Sequence, residues 1–272
     1  MIRTDTPAQP RLALRSLVYG PTDVDPNDPA ELYHEASKIS PSLAQRQTQG
    51  IVRLAHSPQL QAATSRSVRR NPQLATVALP PVQPLEQPLA SALATRRSSH
   101  ELGGAPLCLR TLATLLDAGY GSSRSGRRAV PSGGALYPLE LYPVLVRVDD
   151  APPGVFHFDP LRRVLEVLRT EDMQRELDDV STLPGLVHDA TAVVFVTSVF
   201  WRTRFKYGLR GYRFALLEAG HVVQNVLLAA AALRVAALPL GGFYDARAEK
   251  LLGVDGVDES VVYAVVLGGV AA

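Results

Sequence analysis

The stretch FKYGLRGYRFALLEAGHVVQN, residues 205–225, decides how the rest of the chain is read. Wound as a helix with Phe214 as origin and about 100° per residue, it puts Tyr207, Arg210, Glu218, His221 and Asn225 on one stripe, with Gln224 on its flank. The other faces carry Leu216, Val222, Val223, Val226, Leu227 and Ala230. The spacing predicts one long helix, apolar nearly all round, with a single polar stripe. A polar group buried without a partner costs about 1–3 kcal/mol, so the stripe needs partners. Two readings stand. In one, the stripe is an internal network: Glu218 bonds an arginine, His221 is a satisfied core histidine and Asn225 holds a neighbouring backbone. In the other, it lines a cofactor site or a subunit interface. Lys206 and Tyr207 stand apart, at the helix mouth. A nearby cation favours a phenolate, which makes the pair a candidate for proton transfer.

Outward from this helix the chain divides by composition. Residues 1–90 are rich in Pro, Gln, Ser and Arg, with short helices expected near 28–38 and 41–54 and an extended, proline-rich connector over 77–90. From 91 to 272 the pattern is ordered. A helix is expected over 107–119, a loop over 120–138, a strand over 139–148 and a hairpin over 154–169 that turns at DPLR. A helix over 171–180 and a buried strand over 189–200 precede the opening helix. A PLGGF loop at 239–243, a helix near 246–252 and a strand over 261–269 follow it. Strands and helices mix without strict β-α alternation, so the fold class is α+β with a mainly antiparallel sheet flanked by helices and a small helical N-terminal part.

The totals bound the function. The chain has 272 residues, 46% of them apolar and 20% charged, which suits a globular protein with a sizeable core. Net charge is +2, so nothing global points to nucleic acid or an anionic membrane. The single cysteine, Cys108, allows no disulfide within the chain and no cysteine-rich zinc site, and is expected to be a small core residue. The N-terminal stretch lacks the apolar core of a signal peptide. The most apolar run, 222–241, contains Arg234 and Pro239 and reads as a core helix and loop, not a membrane span. A cytoplasmic protein without a metal is the expectation.

Two further segments carry chemistry. TRRSSHE, 95–101, sets two arginines beside two hydroxyls, a donor set suited to phosphate or, equally, to a solvated linker. PSGGALYP, 131–138, and PLGGF, 239–243, bring glycine backbone where a flat ligand can approach closely. Neither a P-loop nor a GxGxxG fingerprint is present, so a nucleotide site here is neither of those types.

Taken in order, RRSSHE, PSGGALYPLELY, GVFHFDP, FKYGLRGYRFALLEAGHVVQN, PLGGF and LLGVDGVDE over 91–269 resemble the SagB-type dehydrogenases of the FMN-dependent nitroreductase superfamily. ELYHEASKIS, 31–40, resembles that family's N-terminal part. The resemblance implies a nitroreductase-like fold, a homodimer and FMN at its interface. It implies that Arg96, Arg97 and Ser98 hold the phosphate and ribityl chain. His100 stands where the family usually has a basic residue near the pyrimidine. Pro131, Ser132, Gly133 and Gly134 come across the interface, and Leu240, Gly241 and Gly242 lie by the flavin face. The family's Lys-Tyr pair falls on Lys206 and Tyr207. The implied reaction is oxidation of azolines to azoles in an azoline-containing precursor peptide, in company with a cyclodehydratase complex, with residues 1–90 as a docking part. Two other readings are an NAD(P)H-dependent nitroreductase and a non-catalytic flavin-bearing scaffold.

Overall fold

A computed structural model describes residues 28–41, 49–64, 68–123, 127–183 and 185–270. Two compact units divide at residue 38. In the first, the described part is helix α1 (Pro29–Ala36), started by the Asp28 side chain accepting from the Ala30 amide at 2.9 Å. Residues 42–48, within the helix expected over 41–54, lie outside the described residues; the rest appears as α2 (Gln49–His56), followed by α3 (Pro58–Thr64).

In the second unit a seven-stranded sheet runs in the order β1 (Thr76–Ala78), β6 (Val164–Arg169), β5 (Gly154–Asp159), β3 (Leu139–Leu145), β7 (Ala192–Val199), β9 (Glu259–Val270), β8 (Val235–Leu240). Every pairing in it is antiparallel. A short parallel pair, β2 (Leu107–Cys108) with β4 (Val148–Asp149), stands outside it. The composition changes at residue 90, but the packing does not: β1 already belongs to the sheet, and the compact unit begins at Ile39. Of the connector expected over 77–90, residues 77–78 belong to β1, residues 79–88 form neither helix nor strand, and residues 89–90 open α4 (Leu89–Thr95).

β3 and β7 are buried along their whole length because both faces of the sheet are covered. Strand alternation sends Leu139, Leu141, Val194 and Val196 to one core, with α5 (Leu109–Tyr120) and α8 (Leu209–Ala232) over it. It sends Val144, Val193 and Phe195 to the other, with α6 (Gln174–Val180) and α9 (Asp245–Leu252). By length and composition α8 is apolar enough to cross a membrane, yet half of its apolar window is buried against the sheet and α5.

Three expectations are corrected. The helix does not run unbroken through 205–225. α7 (Trp201–Tyr207) ends at Gly208, whose φ of 54° and ψ of −135° lie where only glycine rests easily, and α8 starts beyond it. The apolar run does not end in a loop. Residues 235–240 form edge strand β8, and only Gly241 onward is irregular. Cys108 is exposed at the start of α5, with Sγ 3.2 Å from the Thr111 hydroxyl.

Candidate functional site

α7 and α8 form a tight corner. Gly211 sits against the Thr203 backbone, the Thr203 hydroxyl donates to the Gly211 carbonyl at 3.0 Å, and Phe200 stacks on Tyr212 at 4.5 Å. Behind the corner α2 crosses so closely that a Cβ on Gly50 would lie 2.7 Å from the Lys206 carbonyl oxygen. On β3, Glu140 binds the Arg202 guanidinium at 2.7 Å. Thus α7 is held from two sides, and Lys206 and Tyr207 stand at its fixed end.

The two side chains converge on the glycine loop. A Cβ on Gly134 would lie 2.5 Å from Lys206 Nζ and 2.6 Å from the Tyr207 hydroxyl, so both polar ends occupy the open side of that glycine. Nζ stands 5.1 Å from the centre of the Tyr207 ring, whose other edge meets Phe214 at 5.0 Å. Phe214 in turn packs under Gly133. The loop is wound in left-handed backbone at Gly134 (φ 66°), Ala135 (φ 54°) and Tyr137 (φ 44°). For the non-glycine residues Ala135 and Tyr137 this costs about 1–3 kcal/mol each, and such residues gather where geometry serves function. The Ser132 hydroxyl closes the loop by accepting from the Tyr137 amide at 2.9 Å.

Beneath the loop lies Glu218, which is 2% exposed. It accepts the Tyr120 hydroxyl at 2.9 Å, where the sequence suggested an arginine bond; the Arg128 guanidinium acts on it only through space. Burial pushes its carboxyl up to about 7, against the opposing pulls of Ser132, Tyr120 and Arg128. The folded value exceeds the unfolded one. The stability this group contributes is therefore whole below about pH 4.5 and is lost as pH rises toward 7. Glu218→Gln is expected to match the parent near pH 5 and to exceed its stability at pH 8 by up to about 3 kcal/mol, read as a shift in denaturation midpoint. Asn225 bonds the Ala118 carbonyl at 3.2 Å, as the internal-network reading requires. His221 does not: it is exposed on α8, in a row with Leu216, Leu217 and Gln224.

The other expected residues lie along β8. Ser99 donates its amide to the Ala237 carbonyl at 3.0 Å, which lays residues 95–103 beside that edge strand. Thr95, Arg97 and Ser99 line a cleft of about 490 Å³ with Arg234 and Ala237. Arg96, Ser98 and His100 are not among its lining, because an extended backbone sends successive side chains to opposite sides. Leu240 is buried; Gly241 is exposed, with open space where a Cβ would be, and Gly242 is tied to Thr182 through its carbonyl. Lys206, Tyr207, Gly133 and Gly134 therefore form one group and Arg97 with β8 another, on a single chain. Arg234, in the sequence a charge interrupting an apolar run, stands at the turn just ahead of β8.

Comparison with known proteins agrees with this fold. Residues 93–269 match the Nitroreductase family. A nitroreductase-type protein of Methanocaldococcus jannaschii is 34% identical over 179 residues, which is 65% of this chain and 89% of that one. The microcin B17-processing protein McbC of Escherichia coli is 34% identical over 162 residues, 55% of this chain; the matched part is 57% of McbC's own length. Among solved structures, a chain of the E. coli microcin synthetase McbBCD complex with truncated pro-MccB17 superposes with a TM-score of 0.57 at 25% identity, covering 89% of this chain and 92% of that one. With the sheet, the paired helices and the family match over most of the ordered unit, the chain belongs to the nitroreductase family.

Proposed function

We propose that this protein is an FMN-dependent dehydrogenase that oxidises azoline rings to azoles in a ribosomally made precursor peptide, as a cytoplasmic homodimer working with a cyclodehydratase complex. The observation that carries the reading is the convergence of Lys206 Nζ and the Tyr207 hydroxyl on Gly134, in a chain similar to a microcin-processing protein. The donor set fits the cofactor. Among the described residues the guanidinium groups of Arg96 and Arg97 make no hydrogen bond or ion pair, and the exposed Gly241 backbone leaves a flat approach for a ring. FMN, when bound, supplies the two-electron acceptor for the hydride that leaves the azoline. Tyr207 takes the accompanying ring proton at its phenol oxygen, and Lys206 holds positive charge beside it.

The homodimer is supported by what one chain leaves open. The two groups of site residues lie apart, and α8 carries an exposed apolar row with Leu216 at 41% and Leu217 at 63% exposure. A two-fold contact along α8 buries that row and brings the Lys206–Gly134 group of one copy to the β8 group of the other. Leu217→Arg is expected to yield a monomer by light scattering that no longer retains FMN; a variant that stays dimeric counts against this interface.

The direct test mixes the purified yellow protein anaerobically with an azoline-containing peptide. Bleaching of the flavin band with formation of the azole is expected. Bleaching by NADPH but not by the peptide would make the protein a conventional nitroreductase, and a chain that takes up no flavin would overturn both.

A further inference from the structure

We infer that Arg234 is a second cationic ligand of the flavin phosphate, acting from the wall of the β8 cleft opposite Arg97; the inference rests on the FMN reading above. One wall of the cleft is formed by Thr95, the last residue of α4, and by Arg97, Ser99 and Glu101 of the chain that follows it. The Thr95 and Ser99 hydroxyls already donate to the Ser91 and Glu101 carbonyls at 2.9 Å, so the Arg97 guanidinium is this wall's donor group for a phosphate monoester. Arg234 comes from the other side, at the turn between α8 and β8.

Two features single out Arg234. Its backbone is left-handed, with φ 56°, a conformation that glycine adopts without strain and arginine does not. An arginine kept at such a position points to a use for its side chain. Moreover, the Arg97 and Arg234 guanidinium groups share one cleft, and among the described residues neither has a hydrogen bond or ion pair. Two like charges without counter-charge repel, and an anion between them removes that penalty. Only Glu101 offsets them in the lining, and it is exposed. The volume of about 490 Å³ exceeds a bare phosphate and takes a phosphate with its polyol chain. β8 then leads from Val235 to Leu240 and the open Gly241, roughly 20 Å of strand along which the rest of the nucleotide can lie.

The test uses the purified protein stripped of flavin and titrated with FMN and, separately, with riboflavin, which lacks the phosphate, following quenching of flavin fluorescence. Arg234→Gly suits the left-handed backbone and keeps the fold, which a thermal melt checks. It is expected to weaken FMN binding about tenfold to a hundredfold and to leave riboflavin binding at the parental value, with Arg234→Lys in between. Parental FMN affinity is expected to fall with added salt more steeply than riboflavin affinity. FMN binding unchanged in Arg234→Gly would overturn the inference and leave the flavin reading intact. Equal loss of FMN and riboflavin would assign Arg234 a structural role instead. A parental protein that binds neither flavin would overturn inference and cofactor together.

Discussion

Tyr207→Phe is expected to fold, to keep its flavin and to oxidise azolines about a hundredfold to ten-thousandfold more slowly, the range spanned by loss of one positioned proton-transfer group. The ring stays in place because its anchors are apolar: it meets Phe214 edge-on at 5.0 Å, and phenylalanine preserves that contact. Only the hydroxyl against Gly134 is removed. Lys206→Ala removes the neighbouring cation and the stem that packs on the same glycine, and is expected to slow the reaction by a similar factor. Single-turnover bleaching of bound flavin by an azoline peptide reads the chemical step directly. A Tyr207→Phe enzyme within threefold of the parent would transfer the role to Lys206, and full activity in both variants would remove the pair from the chemistry.

What the sequence conveyed and what it hid divide along physical lines. The apolar run over 189–200 marked a buried strand, 139–148 was legible as a strand though not as one buried on both faces, and the residues of FKYGLRGYRF that end α7 were picked out because polar groups at the end of an apolar run need a reason. Gly208 was missed because helical spacing continues on both sides of it; YGLRG, with two glycines three apart, was the available sign of a tight corner. β8 was absorbed into the preceding apolar run because VAALPL has the composition of either a helix end or an edge strand, and only pairing with β9 decides. His221 was exposed and Glu218 buried on what counted as one stripe, since a helix with one exposed apolar row looks, in one sequence, like a helix buried all round. Least legible was the polar layer through the sheet, where His157 bonds partners 9 and 17 residues away and Tyr142 bonds one 117 residues away.

That layer is centred on His157, and its removal is expected to have the largest effect on stability. His157 is fully buried on β5; one ring nitrogen lies 2.9 Å from Glu140 on β3 and the other 3.1 Å from Glu166 on β6. Burial alone would lower its pKa, but hydrogen bonds and charge from the two carboxylates reverse this and hold it raised. Burial would raise Glu140, and His157 with Arg202 holds it lowered instead; the Asn71 amides and His157 do the same for Glu166. His157→Leu leaves two buried carboxylates facing an apolar side chain. Removing one member of a buried ion pair costs about 3–5 kcal/mol. Arg202 and the Arg69 amide still serve Glu140, and Asn71 with Arg162 still serves Glu166, so a loss of about 3 kcal/mol is expected. The pH dependence carries the sign. The raised imidazole contributes in full below its unfolded pKa and fades as pH rises through the higher folded value. The lowered carboxylates contribute above their unfolded pKa and fade as pH falls through the lower folded values. The gap between parent and variant should therefore be widest from about pH 4.5 to 6.5 and close toward pH 9. Chemical denaturation at pH 5.5 and pH 9 measures both ends of that window, and an equal gap at the two would show that His157 is buried neutral. The layer also reaches the site, because Glu140 bridges His157 to Arg202, and Arg202 fixes the helix that ends in Lys206 and Tyr207. In conditions where His157→Leu remains folded, azoline oxidation should fall while FMN stays bound, since the β8 cleft has no residue in this network.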